Sequence, residues 1–246
     1  MNSSSANPSY ASLQGRTALI TGATGGLGMA IAQELAYQGC SLFLTGRSEE
    51  RLTGVGAAIR QTSPCVHLYA ADLADPDSLE RLAISAQQAF QSIDILVNCA
   101  GVFPVSPIEA STMEHYDHCM AVNVRAPFYL AQKFGPLMAQ RFWGRIINIG
   151  SSSAYNGFRD TSIYCASKHA LLGLTRSLFQ ELKTRRVRVY CLSPGSIQTE
   201  MGRQVPGQLF ETFLRPEEVA RYLAFIISFD TELVSEEVRL NRIIVQ

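Results

Sequence analysis

A short apolar run that passes directly into a glycine-rich turn and then a helix leaves a chain few architectures to adopt. This chain has such a passage at its start: Thr17-Ala18-Leu19-Ile20-Thr21, then Gly22-Ala23-Thr24-Gly25-Gly26-Leu27-Gly28, then a helical pattern. Glycine permits the tight turn and lets the backbone approach a bulky anion without a Cβ in the way. The free N–H groups of the first helical turn then face that anion. Gly22, Thr24, Gly26, Leu27 and Gly28 are the phosphate-binding candidates. The spacing is G-x-x-x-G-x-G rather than the commoner G-x-G-x-x-G, so a glycine turn that binds nothing stays open on this motif alone.

The same alternation continues along the chain. Strand candidates lie at 17–21, 41–45, 66–70, 93–98, 145–149 and 187–192, and the tail 234–246 alternates like a seventh. Helical spacing fills 27–37, 49–60, 78–90 and 167–183, with longer helices expected over about 112–140, kinked at Pro127, and about 162–182. Unbroken apolar strands separated by helices predict an α/β fold: one Rossmann-like, doubly wound parallel sheet of about seven strands with helices on both faces. Residues 1–13, rich in Ser and Asn, read as a disordered lead-in, and 14–246 as one domain. Gly202, Pro206 and Gly207 suggest a short mobile substrate flap at about 200–215.

Lysine plus arginine equals aspartate plus glutamate, 21 each, which argues against a polyanion or acidic-membrane partner. The six cysteines lack any C-x-x-C pair and sit in apolar surroundings, so reduced, buried thiols and a cytoplasmic location are expected. His115, His118 and Cys119 share one helical turn, but no second cluster accompanies them, and no metal is expected.

The second strand candidate ends in Thr45-Gly46-Arg47-Ser48. A site for NAD(H) usually has a carboxylate here for the ribose 2′-hydroxyl; Arg47 suits a 2′-phosphate instead and favours NADP(H), the alternative being a solvated arginine. Tyr164 and Lys168 stand four residues apart, so on a helix both project from one face. A phenol is a poor acid–base catalyst near neutrality, and a cation one turn away stabilises its phenolate. A hydroxyl from Ser151 could steady a developing alkoxide.

Together these motifs resemble the short-chain dehydrogenase/reductase family over roughly residues 15 to 230. They occur in the family's order: Thr21 to Gly28; Asp72-Leu73; Asn98-Cys99-Ala100-Gly101; Ser151 with Tyr164-Cys165-Ala166-Ser167-Lys168; and Ser193-Pro194-Gly195-Ser196-Ile197-Gln198-Thr199. The resemblance implies hydride transfer between nicotinamide and a carbonyl or alcohol, with Tyr164 as general acid/base. Spacing back from Tyr164 favours Ser151 over Ser152 and Ser153. It further implies that Asp72 and Leu73 contact adenine, and that Asn98, Ala100 and Gly101 shape the ribose site. Asn123 would hold a proton-relay water, Lys168 the nicotinamide ribose, and Pro194, Gly195, Ile197 and Thr199 the nicotinamide. Individually, Asp72 could cap a turn and Asn98 could brace a strand end. A substrate pocket lined by Phe103, Tyr155, Phe158 and residues 200–214 is expected. The tail lacks the Asp-Gly-Gly ending common in relatives, which leaves a tetramer open; a homodimer through the long helices is expected. The alternative to an enzyme is a dinucleotide-binding sensor or scaffold that has lost turnover.

Overall fold

The computed structural model describes residues 12–205 and 207–243. Within them, β1 (Thr17–Thr21), β2 (Ser41–Gly46), β3 (Val66–Ala70), β4 (Ile95–Asn98), β5 (Gly144–Ile149), β6 (Val187–Pro194) and β7 (Glu237–Leu240) form one sheet. All pairings are parallel, in the order β3-β2-β1-β4-β5-β6-β7. β1, β4, β5 and β6 are buried at every position, which is why their sequences run apolar instead of alternating. The helices are α1 (Gly26–Tyr37), α2 (Glu49–Ile59), α3 (Pro76–Ala89), α4 (Met113–Met120), α5 (Ala126–Gln140), α6 (Ser162–Leu182) and α7 (Pro216–Ser228). α1, α2 and α7 pack on one face; α3, α5 and α6 pack on the other. Strand order reverses between β1 and β4, which opens a crevice beyond the carboxyl ends of the strands.

Local chemistry sets the helix starts. The Ser48 hydroxyl accepts from the Arg51 amide, the Asp75 carboxylate from the amides of Asp77 and Ser78 beside Pro76, and the Thr112 hydroxyl from the His115 amide. The helix expected over 112–140 differs from the expectation. Pro127 lies in the first turn of α5, but the helix runs into it without a break from a π-wound segment, Ala121–Arg125, and that segment is where the winding changes. The expected strand 93–98 begins at Ile95, because the Asp94 carboxylate accepts from the Thr17 amide (3.1 Å) at the sheet's lower edge. The tail strand is only Glu237–Leu240; residues 244–246, Pro206 and residues 1–11 lie outside the described residues. Leu13, read as the end of the lead-in, is buried, and its carbonyl accepts from the Cys40 thiol (3.3 Å); folded structure therefore starts before Gln14.

At the edge opposite the crevice, the fully buried Arg145 fastens the end of α7. Its guanidinium donates to the carbonyls of Ile227 (2.9 Å) and Phe229 (3.0 Å) and to the Asp230 carboxylate (2.8 Å). Burial pulls this group down from the usual guanidinium range, while Tyr190 and Asp230 oppose it. Arg188, its register partner on β6, donates to the carbonyls of Phe229, Thr231 and Leu233. The Trp143 ring is sandwiched between Arg16 and Arg145, at 3.8 and 4.3 Å.

The cysteines correct one expectation. Cys40, Cys119, Cys165 and Cys191 are buried and Cys99 is partly so, but Cys65 is exposed. Burial pushes the Cys40 thiol up to about 12, helped by Asp94 and opposed by Arg16. It pushes Cys99 to about 12 as well, against the pull of Lys168. Thiolate is the reactive form. A thiol-exchange titration of the folded protein should therefore show fast reaction at Cys65 alone, abolished by Cys65→Ser, with all six cysteines reacting after denaturation. Fast reaction at Cys99 would contradict this.

Candidate active site

The turn after β1 is built for an anion. Gly22 has φ +67°, and a Cβ there would lie 2.8 Å from the Ala100 backbone. A Cβ on Gly28 would lie 2.2 Å from the Gly22 carbonyl. α1 starts at Gly26 without a side-chain cap, and the amides of Gly26, Leu27 and Gly28 find no acceptor among the described residues. Leu27 itself is buried in the core, so its amide is what it presents to the crevice. Free amides over a turn stripped of side chains fit a pyrophosphate.

Arg47 is exposed at the end of β2 and pairs with no group among the described residues. One turn further on, Arg51 donates to the Thr24 carbonyl (2.9 Å), bringing a second cation against the phosphate turn. The sequence reading missed Arg51, because its partner is 27 residues away and only the pairing of β1 with β2 brings them together. The Asp72 carboxylate caps a turn through the Ala74 amide (2.9 Å), and Leu73 is buried.

At the end of β4, the Thr21 hydroxyl accepts from the amides of Cys99 and Ala100, both at 3.1 Å. The Asn98 amide group donates to Asn148 (2.8 Å), which donates to Thr175 (2.9 Å), so Asn98 braces β4 against β5 and α6. Gly101 leaves an opening there: a Cβ would meet only Asn123 Oδ1 at 3.4 Å and Lys168 Nζ at 3.9 Å. Asn123 is buried in the π-wound segment. Its Oδ1 accepts from the Val102 amide (2.9 Å), and its Nδ2 contacts the Val102 carbonyl (3.0 Å), Ser167 Oγ (3.0 Å) and Cys119 Sγ (3.3 Å). That side chain is spent on stitching the β4 loop to α6.

Tyr164 and Lys168 are both buried on α6. Lys168 Nζ donates to the Ile149 carbonyl (2.7 Å) and lies 5.6 Å from the Tyr164 ring centre. Ser151 follows two residues after that carbonyl; its Oγ accepts from the Ser153 amide (3.1 Å), capping the short turn Ser152–Ala154. The hydroxyl proton remains free to donate. At the end of β6, Pro194 is buried, and the following Gly195 amide donates to the Leu240 carbonyl (2.8 Å). Ile197 bridges to Leu214, and the Thr199 side chain stands where a Cβ on Gly26 would come within 2.9 Å. The loop of 194–199 thus closes over the phosphate turn.

Phe103 packs edge-on against Tyr164, with ring centres 4.7 Å apart. It also lines an open cavity of about 560 Å³ with Val102, Val105, Glu114, His115 and His118. Phe158 is exposed, and Tyr155 is not in this lining, because its hydroxyl turns to Glu237 (3.3 Å) on β7. The described residues of the segment 200–215 carry two 3₁₀ turns, Gly202–Gln204 and Phe210–Thr212. Arg242 holds it through Thr212 Oγ1 (2.8 Å) and Gln208 Oε1 (2.5 Å). Among the described residues no three His, Cys, Asp or Glu side chains converge as a metal site, and no helix is long and apolar enough to cross a membrane.

Comparison with known proteins places these features in context. A family model described as short chain dehydrogenase matches residues 16–209. Nodulation protein G of Rhizobium sp. (strain N33) is 37% identical over 77% of this chain and 76% of its own length. The 3-oxoacyl-acyl-carrier-protein reductase FabG of Rickettsia conorii is 33% identical over 88% of this chain and 90% of its own. A metagenomic short-chain oxidoreductase, crystallised with NADP, superposes with a TM-score of 0.83 at 31% identity, over 95% of this chain and 100% of that one.

Proposed function

We propose, from the premise that this chain belongs to the short-chain dehydrogenase family, that it is an NADP(H)-dependent oxidoreductase acting on a carbonyl/alcohol pair through Tyr164. One observation carries the reading. Lys168 sits beside both the Tyr164 ring and the opening over Gly101, at the same carboxyl-end rim of the sheet as the free amides of the phosphate turn.

A bound nicotinamide would supply or accept the hydride. In the reducing direction the Tyr164 hydroxyl donates its proton to the substrate oxygen, and the Ser151 hydroxyl donates a hydrogen bond to the same oxygen. The Lys168 ammonium, held by the Ile149 carbonyl, stabilises the phenolate left behind and faces the ribose site. Gly26, Leu27 and Gly28 would hold the pyrophosphate, and Pro194, Gly195, Ile197 and Thr199 the nicotinamide end. Because the Asn123 side chain is committed to Val102, Cys119 and Ser167, any relay water there would be held by its main chain. A sensor that had lost turnover would be expected to have lost a member of this set, and all are present.

NADPH preference is assigned to Arg47, backed by Arg51, and agrees with the NADP in the metagenomic structure. Screening NADPH and NADH oxidation against ketones, aldehydes, quinones and acyl thioesters tests the activity and names the substrate class. Arg47→Ala should weaken NADPH binding about 10- to 100-fold, as for a lost charge-assisted hydrogen bond, while leaving NADH within twofold. Equal losses for both dinucleotides would remove the 2′-phosphate assignment.

A further inference from the structure

We infer that Glu237 is a positioning residue: one carboxylate on β7 holds the Ser151 turn and the Tyr164 helix in register with each other. The inference rests on the catalytic reading above, and it arises from contacts on a strand that reading does not use.

The Glu237 carboxylate faces two elements at once. Toward α6 it takes a bidentate pair from Arg176, with Nε to Oε1 at 2.5 Å and Nη2 to Oε2 at 3.0 Å. Toward the serine turn its Oε2 accepts from the Tyr155 hydroxyl (3.3 Å). Tyr155 ends the turn that Ser151 begins, its amide donating to the Ser152 carbonyl at 3.1 Å. On α6, Tyr164, Lys168, Leu172 and Arg176 follow one another at four-residue steps. Leu172 packs in a small cluster with Ala154 and Cys191, against which Tyr155 rests. The Arg239 guanidinium, two residues along β7, lies 4.4 Å from the Tyr155 ring centre and closes the outer side.

Both halves of the catalytic set therefore refer to a single carboxylate. Arg176 holds that carboxyl below its ordinary range, so it remains an acceptor for both partners across the neutral range. The Arg176 side chain is 58% exposed and that of Glu237 29%. An ion pair so open to water contributes little to folding stability. Its consequence is geometric, because a displacement of about 1 Å at a reacting group is enough to slow turnover about 100-fold.

The test combines a double-mutant cycle with a structure. Glu237→Ala should lower kcat about 10- to 100-fold and leave the Kd for NADPH within twofold. In a Ser151→Ala background the same substitution should lower kcat less than twofold, since the group being positioned is gone. An unchanged kcat, or the same factor in both backgrounds, overturns the inference. Should Glu237→Ala fail to fold, Tyr155→Phe removes only the hydroxyl link and is expected to show a smaller loss with the same non-additivity; additive losses overturn the inference there too. A crystal structure of either variant should show the 152–154 turn displaced relative to Tyr164. A turn that superposes on the parent overturns the inference, even if the parent reduces no carbonyl and the oxidoreductase reading has fallen separately.

Discussion

Replacing Tyr164 by phenylalanine should cut kcat about 10²- to 10⁴-fold, the span associated with loss of a positioned acid or base. The substitution removes one oxygen and leaves the ring packed on Phe103, so the fold and the phosphate turn are undisturbed. NADPH binding, followed by quenching of the single tryptophan or by calorimetry, should stay within a few-fold of the parent. Turnover within tenfold of the parent would show that another group delivers the proton. A large loss of NADPH affinity would show instead that the hydroxyl serves chiefly to hold the dinucleotide.

The second large effect belongs to the opposite edge of the sheet. Arg145→Met keeps an unbranched side chain in the same volume but takes the guanidinium from the Ile227 carbonyl and from Asp230, and removes one of the donors to the Phe229 carbonyl. Because the Asp230 side chain is 39% exposed, the cost lies chiefly in the buried acceptor left without a donor, about 1–3 kcal/mol, which for a chain of this size lowers Tm by roughly 3–10 °C. NADPH affinity measured well below the transition should match the parent, because the substitution lies at the far end of β5 from Ser151. A fall in stability under about 1 kcal/mol would mean that Arg188 and water take over the carbonyls.

Much of this architecture could be read from the chain, because its signals are local. The glycine turn, the apolar strands and the four-residue step from Tyr164 to Lys168 each report on neighbours in sequence. The serine turn and α6 were likewise readable as separate pieces. What could not be read depends on which strands become neighbours. Tyr155 is expected from the sequence to line the substrate pocket; its hydroxyl instead goes to Glu237, 82 residues away, since β7 pairs with β6. Arg51 was overlooked for the same reason. The kink expected at Pro127 was misplaced because proline is a visible signal, whereas a π-wound turn has no signature in residue type. Asp72 and Asn98 had two readings each, and the capping and bracing contacts of the structure are those of the plainer ones.

Since all seven strands point the same way, the sheet has two unlike rims. One carries glycine turns and the Tyr164–Lys168 pair; the other is riveted by Arg145, Arg188 and Trp143. Arg145 and Ser151 are separated along the chain by six residues of mostly extended backbone, about 20 Å. Selection for heat tolerance and selection for a new substrate would then draw on separate sets of positions, and gains made at one rim should carry over intact when the other is redesigned.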